Sequence, residues 1–190
     1  MRYKKDHKKV SRDCILSSAL KLFSHQGFNN VSIDEIMTDA GLTRGAFYAH
    51  FESKQQLYAE AIISAGLNDR TTISKAANGK TQLKLLVSDY LEADYSDPDE
   101  LPCPLAYLVT DVAIREPEVR SAYAESYESL NSRVKYLMSI DGDSINEEVV
   151  PALTSMMIGS VAIARTLTDS AATQLLHACK KSAYKLIDNA

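Results

Sequence analysis

SIDEIMTDAGLTRGAFYAHFESKQQLY, residues 32–58, spells two short helices joined by a glycine turn and the opening of a third. Ser32 with Glu35 three residues on is a capping-box pair, so the spacing predicts a helix starting at Ile33. Ile33, Ile36, Met37 and Ala40 recur at helical spacing, and Gly41 supplies a left-handed stop. Thr43 caps a second helix in which Phe47 and Phe51 lie four apart on one face. The opposite face carries Arg44, Gly45, Ala46, Tyr48 and His50, with little apolar bulk. A helix, a tight turn and a polar-faced helix form a helix-turn-helix, whose second helix enters the DNA major groove.

Composition sets limits around that motif. A chain of 190 residues with 45% apolar content buries a full core in one or two domains. The apolar-rich run near Met156–Ala164 is too short to span a bilayer. The amino-terminal MRYKKDHKKV lacks a following apolar stretch, so no secretory signal is expected. Cysteines at 14, 103 and 179 have no metal spacing and leave an odd thiol, which suits a reduced, cytoplasmic setting. Histidines 7, 25, 50 and 177 show no metal spacing either. The net charge of −4 is uneven: residues 1–54 hold nine Lys/Arg against six Asp/Glu, and the remainder twelve against nineteen. A basic front on an acidic body suits a protein that presents one end to a polyanion.

The whole chain reads as helical, with no sustained two-residue alternation, internal repeat or low-complexity tract. The first helix is expected over Ser11–Gln26, with Ile15, Leu16, Ala19, Leu22 and Phe23 inward. Ser53 and Gln56 form a second capping box, opening a long helix with Leu57, Ala61, Ile62 and Ala65 on its apolar side. After a polar segment with a turn signal at Asn78-Gly79, a helix is expected over Thr81–Tyr95, ending before the SDPDELP loop. Another runs from near Pro102 to about Arg115. A longer one opens at Pro117, a favoured first position, and the DGDS loop follows it. Ser144 and Glu147 suggest a cap, but Pro151 sits badly inside a regular helix, so the main helix is expected over Pro151–Leu167. Asp169 or Ser170 caps the last, which reaches Ile187.

Residues 11–58 resemble the DNA-binding domain of the TetR family of transcriptional regulators. The resemblance rests on the capped I-x-x-I-M helix, on AGLTRGAFYAHF and on the SKQQL opening. PCPLAYL and MMIGSVAIARTLTD are similar to the carboxy-terminal domain of one branch of that family. The resemblance implies about nine helices, a homodimer and a ligand cavity in the larger domain. The expected division is 1–54 for the basic arm and helix-turn-helix, and 55–190 for an effector-binding and dimerisation domain. It also implies DNA roles at matching positions. Ser32, Thr43 and the start of the second helix face phosphate, Arg44 reaches a guanine edge or the backbone, and Gly45 and Ala46 allow close approach to bases. Tyr48, His50 and Lys54 are assigned to phosphate. The basic arm, with Lys8 and Lys9, could track phosphates or enter a minor groove.

In the last two helices, Met156, Met157, Ser160, Ala164 and Leu167 face a stripe of Leu175, Leu176, Cys179, Ala183 and Leu186, a candidate two-fold seam. Tyr90, Tyr95, Tyr107, Tyr123 and Tyr127 suit an aromatic or amphipathic ligand, with Arg165 for a polar group. Cys103, between two prolines at a helix start, offers an alternative sensor for oxidants or electrophiles. The leading expectation is a homodimeric repressor of a pseudo-palindromic operator, released when a small molecule shifts the helix opening at Ser53 and the long helix from Pro117. An enzyme using a helical cavity is a competing class. No nucleophile–base arrangement, glycine-rich phosphate loop, cofactor motif or catalytic residue supports it. An adaptor that has lost DNA binding is a further alternative.

Overall fold

The computed structural model describes residues 2–67, 78–93, 103–141 and 146–190, the side chains of residues 2–7, 66 and 67 excepted. The described residues form ten helices: α1 (Arg2–Gln26), α2 (Ile33–Asp39), α3 (Arg44–Phe47), α4 (Lys54–Leu67), α5 (Gly79–Glu92), α6 (Pro104–Tyr107), α7 (Val109–Val112), α8 (Pro117–Ser139), α9 (Val149–Ala164) and α10 (Asp169–Asp188). The protein is all-α, with an amino-terminal helix-turn-helix. Tyr95, Pro102, Ser144, the SDPDELP loop and the DGDS loop after Asp141 lie outside the described residues.

Several boundaries differ from expectation for local physical reasons. Helix α1 begins at Arg2, not Ser11, so the basic segment continues the helix. Leu20 is buried whereas Leu22 is only half-buried. The single helix expected over 102–115 is two, because Leu108 leaves the helical region at φ −109, ψ 1. Pro104 through Leu108 are all buried, which one regular amphipathic stripe cannot achieve. Asn78 and Gly79 open α5 instead of forming a free turn: Asn78 Oδ1 accepts from the Thr81 N–H at 2.8 Å. Pro151 lies in the first turn of α9, where its missing N–H would have had no helical partner. Thr168, one residue early, precedes α10.

The chain divides into two compact units. The first comprises residues 1–68 with 98–126, and the second 69–97 with 127–190. In the first, α1 packs on α2 and α4, and α6 packs on α1 and α4. Ile15, Ala19, Phe23, Ile36, Phe47, Leu57, Tyr58 and Ile62 are completely buried. Phe23, Phe28 and Tyr58 pack ring to ring, with centroids 4.7–5.6 Å apart. The Tyr58 hydroxyl donates to Asp111 Oδ2 at 2.7 Å, and Arg115 donates to both Asp111 oxygens at 2.6 and 3.1 Å. Arg115 also reaches Asn29 Oδ1 at 3.1 Å and covers the Phe28 ring at 4.7 Å.

Burial alone would push Asp111 up. The hydrogen bonds from Arg115, Tyr58 and the Phe28 backbone, with the Arg115 charge, outweigh it and hold the carboxyl below its usual value. Burial and that same hydrogen bond push the Tyr58 phenol far up.

In the second unit, α10 packs on α5 and α9. The α5 start is held by Asp141, whose carboxylate accepts from the Gly79 and Lys80 N–H groups at 2.9 and 3.0 Å. Along α10, Tyr184 donates to the Lys84 carbonyl, and Lys180 bridges Ser88 and Glu92 at 2.8 and 2.6 Å. Buried Thr154 donates to Asn131 Oδ1 at 2.8 Å.

Two outcomes follow. Asp111→Asn is expected to lose about 2–3 kcal/mol in urea unfolding, since Arg115 and Tyr58 keep their places without a charged acceptor. Because Asp111 is depressed in the folded state, its contribution is complete above about pH 4 and is lost as pH falls through the folded value. The variant should therefore show a shallower acid loss. At Gly79 a Cβ would sit 2.0 Å from the Leu137 carbonyl oxygen. Gly79→Ala should cost about 3 kcal/mol, since a backbone atom cannot swing aside; an unchanged urea midpoint would contradict this.

Candidate nucleic-acid interface

The candidate interface is built by three local devices. Ser32 accepts from the Glu35 N–H at 3.1 Å while the Glu35 carboxylate accepts from the Ser32 N–H at 2.7 Å, completing the capping box. At the other end of α2, Gly41 takes φ +67. Leu42 N–H returns to the Met37 carbonyl at 2.8 Å and Gly41 N–H to Thr38 at 3.0 Å, a Schellman closure. The chain then enters α3 through Thr43, which is extended at φ −82, ψ 150 and makes no side-chain cap bond. Phe47 and Phe51 anchor this segment inward, with 0% and 2% exposure.

Thr43, Arg44, Gly45 and Tyr48 are exposed, and Ala46 is half-buried. Space beside Gly45 is open for at least 4 Å. The Tyr48 ring meets the Phe47 ring edge-on at 5.1 Å and is 61% exposed, leaving its hydroxyl free to turn outward. Arg44 extends to Asp34 on α2, with Nη1 2.6 Å from Oδ2, and both side chains are largely in solvent. Ser32 is also exposed, but its hydroxyl donates to Glu35 at 2.7 Å.

His50 and Lys54 are placed differently from the freely exposed group. His50 is half-buried and its Nδ1 is buried without a hydrogen-bond partner. Burial, with Lys8 and Arg12 nearby, holds the imidazole below its ordinary value, so it is neutral near pH 7. The Lys54 ammonium donates to the Phe28 carbonyl and lies 4.2 Å from the Phe28 ring centroid. Burial, then Arg115, draws its pKa down.

Sequence reasoning missed Arg12 and Asp34. Arg12 donates to the His50 carbonyl at 2.8 Å, pairs with Glu60 and covers the Phe51 ring at 4.4 Å, tying α1 to the end of the reading segment. Its partners are 38 and 48 residues away in the chain, beyond any local pattern.

The six effector candidates fall in both units. Cys103, Tyr107 and Tyr123 belong to the first: Cys103 is half-buried at the α6 start, Tyr107 meets the His25 ring at 5.9 Å, and Tyr123 donates to the Leu105 carbonyl at 2.6 Å. Tyr90, Tyr127 and Arg165 belong to the second. Tyr127 contacts Thr154 at 3.5 Å, a bond that draws its phenol down, while Tyr90 is half-buried on α5 and Arg165 is exposed after α9. Among the described residues no group of three His, Cys, Asp or Glu could hold a metal, and no helix is long and apolar enough to cross a membrane.

Residues 15–61 match the family model for bacterial regulatory proteins of the tetR family. Over this segment the chain resembles the TetR family. The regulator AcrR of Shigella flexneri is 46% identical over 56 residues, 30% of this chain and 26% of AcrR, so that match spans about a quarter of the relative. LmrA of Bacillus subtilis is 25% identical over 174 residues, covering 88% of this chain and 92% of LmrA. Among solved structures, reduced NemR of E. coli superposes with a TM-score of 0.77 at 15% identity, over 91% of this chain and 94% of NemR. A TetR regulator from Chloroflexus aurantiacus gives 0.77 at 21% identity, over 99% and 97%. At those identities the structures speak to the fold alone. AcrR and LmrA are transcriptional regulators by name, and this chain is similar to them over the stretches given.

The Lys54 geometry yields a prediction. Lys54→Gln should lower stability by about 1 kcal/mol through the lost carbonyl bond and ring contact. It should leave the salt slope of DNA binding unchanged; a slope shallower by about 0.9 would restore Lys54 to the phosphate contacts.

Proposed function

We propose that this regulator is a cytoplasmic homodimeric repressor that binds a pseudo-palindromic operator and is released by a small-molecule inducer. The observation that carries the reading is the outward face of α3. Thr43, Arg44, Gly45 and Tyr48 project to solvent from a segment whose aromatic residues Phe47 and Phe51 are sunk in the core. A rigid short helix with small residues beside an arginine suits close approach to base edges in a major groove.

Dimerisation is supported by apolar surface left on α9 and α10. Met157, Ser160, Ala164 and Ala183 are buried in their own unit. Ile163 and Leu167 are 53% and 43% exposed, and Leu175, Leu176, Cys179 and Leu186 stay half-buried. A Cβ added at Gly159 would meet nothing within 4 Å, which leaves room for a second copy's helix. The tyrosines Tyr90 and Tyr127 with Arg165 in the second unit, and Tyr107 and Tyr123 with Cys103 in the first, are the proposed effector contacts.

Selection of duplexes from random DNA is expected to recover two inverted half-sites, and sedimentation to give two chains per duplex. Arg44→Ala should weaken operator binding by about 1–3 kcal/mol and relax preference at one position per half-site, whereas Tyr48→Phe should weaken all duplexes alike. A monomeric chain, or a pool without inverted symmetry, would contradict the reading.

A further inference from the structure

The Asp34–Arg44 pair is the unusual feature of the reading face, because it places an acid where a polyanion is to dock. Asp34 lies in the first turn of α2 and Arg44 opens α3, so the pair spans the two helices of the motif. Asp34 is 56% and Arg44 61% exposed. An ion pair this wet adds little to stability, so its placement calls for another account. The contact is made through Nη1 alone, at 2.6 Å. A guanidinium carries five donors in a planar fork, so the edge formed by Nε and Nη2 remains open. That edge matches the O6 and N7 acceptors of a guanine.

We propose that Asp34 is a specificity-determining residue that holds Arg44 as a base reader and denies it to phosphate. The proposal rests on the operator-binding reading above. On unrelated DNA, Arg44 must leave Asp34 to pair with a phosphate, and the freed carboxylate then faces the backbone's negative charge. On the operator, Asp34 keeps its bond while the open edge meets the base. The acid thus penalises the wrong complex more than the right one, which is how discrimination is gained without a new attractive contact. Asp34 acts through Arg44 and is a positioning residue.

The test uses the full chain, the duplex recovered by selection, and an unrelated duplex of equal length, titrated across salt. Asp34→Asn keeps the shape of the side chain and removes its charge. It is expected to tighten binding to the unrelated duplex about three- to tenfold and to steepen that salt slope by about 0.9, one added phosphate contact. It should also cut discrimination about tenfold at the half-site position that Arg44→Ala relaxes, and nowhere else. Asp34→Glu, which keeps the charge, should retain weak binding to unrelated DNA. An operator-to-unrelated ratio within twofold of wild type would overturn the proposal, as would a loss spread evenly over all positions. A wild-type chain with no sequence preference would instead overturn the operator reading, and this proposal with it.

Discussion

Asp111 holds a charge where charge is costly to keep, and the first unit is arranged to keep it. Its carboxylate, 20% exposed, takes two bonds from Arg115 and one from the Tyr58 phenol. The chain reaches it by turning at Gly27, φ +78, a conformation that side chains other than glycine rarely hold, so that the Phe28 backbone also bonds to the carboxylate. Phe28 is in turn covered by Arg115 and Lys54. One acid therefore fixes the end of α1, the α4 register and the start of the loop into α2. α3 is only four residues long, and with Phe47 buried its placement depends on packing rather than on its own hydrogen bonds.

That dependence explains how polar residues divide on the amino-terminal unit. Lys54, Arg12 and Arg115 lie over aromatic rings and bond to carbonyl or carboxyl groups, so three of its cations are committed to the fold. Ser32 and Glu35 satisfy each other at the α2 cap. On the α2–α3 face, Thr43, the Arg44–Asp34 pair, Gly45 and Tyr48 stay outward. If α3 reads DNA as proposed, two copies are needed, since one four-residue helix reads too few base pairs to select a site among many.

The helix-turn-helix was legible because its determinants lie within a few residues of one another. The Ser32/Glu35 box, the Gly41 stop, the Phe47/Phe51 anchor and the Pro117 start each act inside one or two turns. What escaped the sequence were bonds across long separations, such as Arg115 to Asn29 over 86 residues and Tyr58 to Asp111 over 53. The bond from Lys54 to the Phe28 carbonyl, 26 residues back, was equally out of reach of local pattern. The bend at Leu108 was hidden for a related reason: an apolar run tells that residues are buried, not that the helix must break to bury all of them. The effector side was least legible, since tyrosines that serve a core and tyrosines that line a cavity look alike in a sequence.

As proposed, two copies of α3 read the same face of a duplex at a fixed separation. The direct measurement is binding to the selected operator with base pairs inserted between its half-sites. Five inserted pairs rotate one half-site to the opposite face, and the account predicts loss of nearly all sequence-specific affinity. Affinity indifferent to that insertion would contradict it, because the reading heads would then be acting independently.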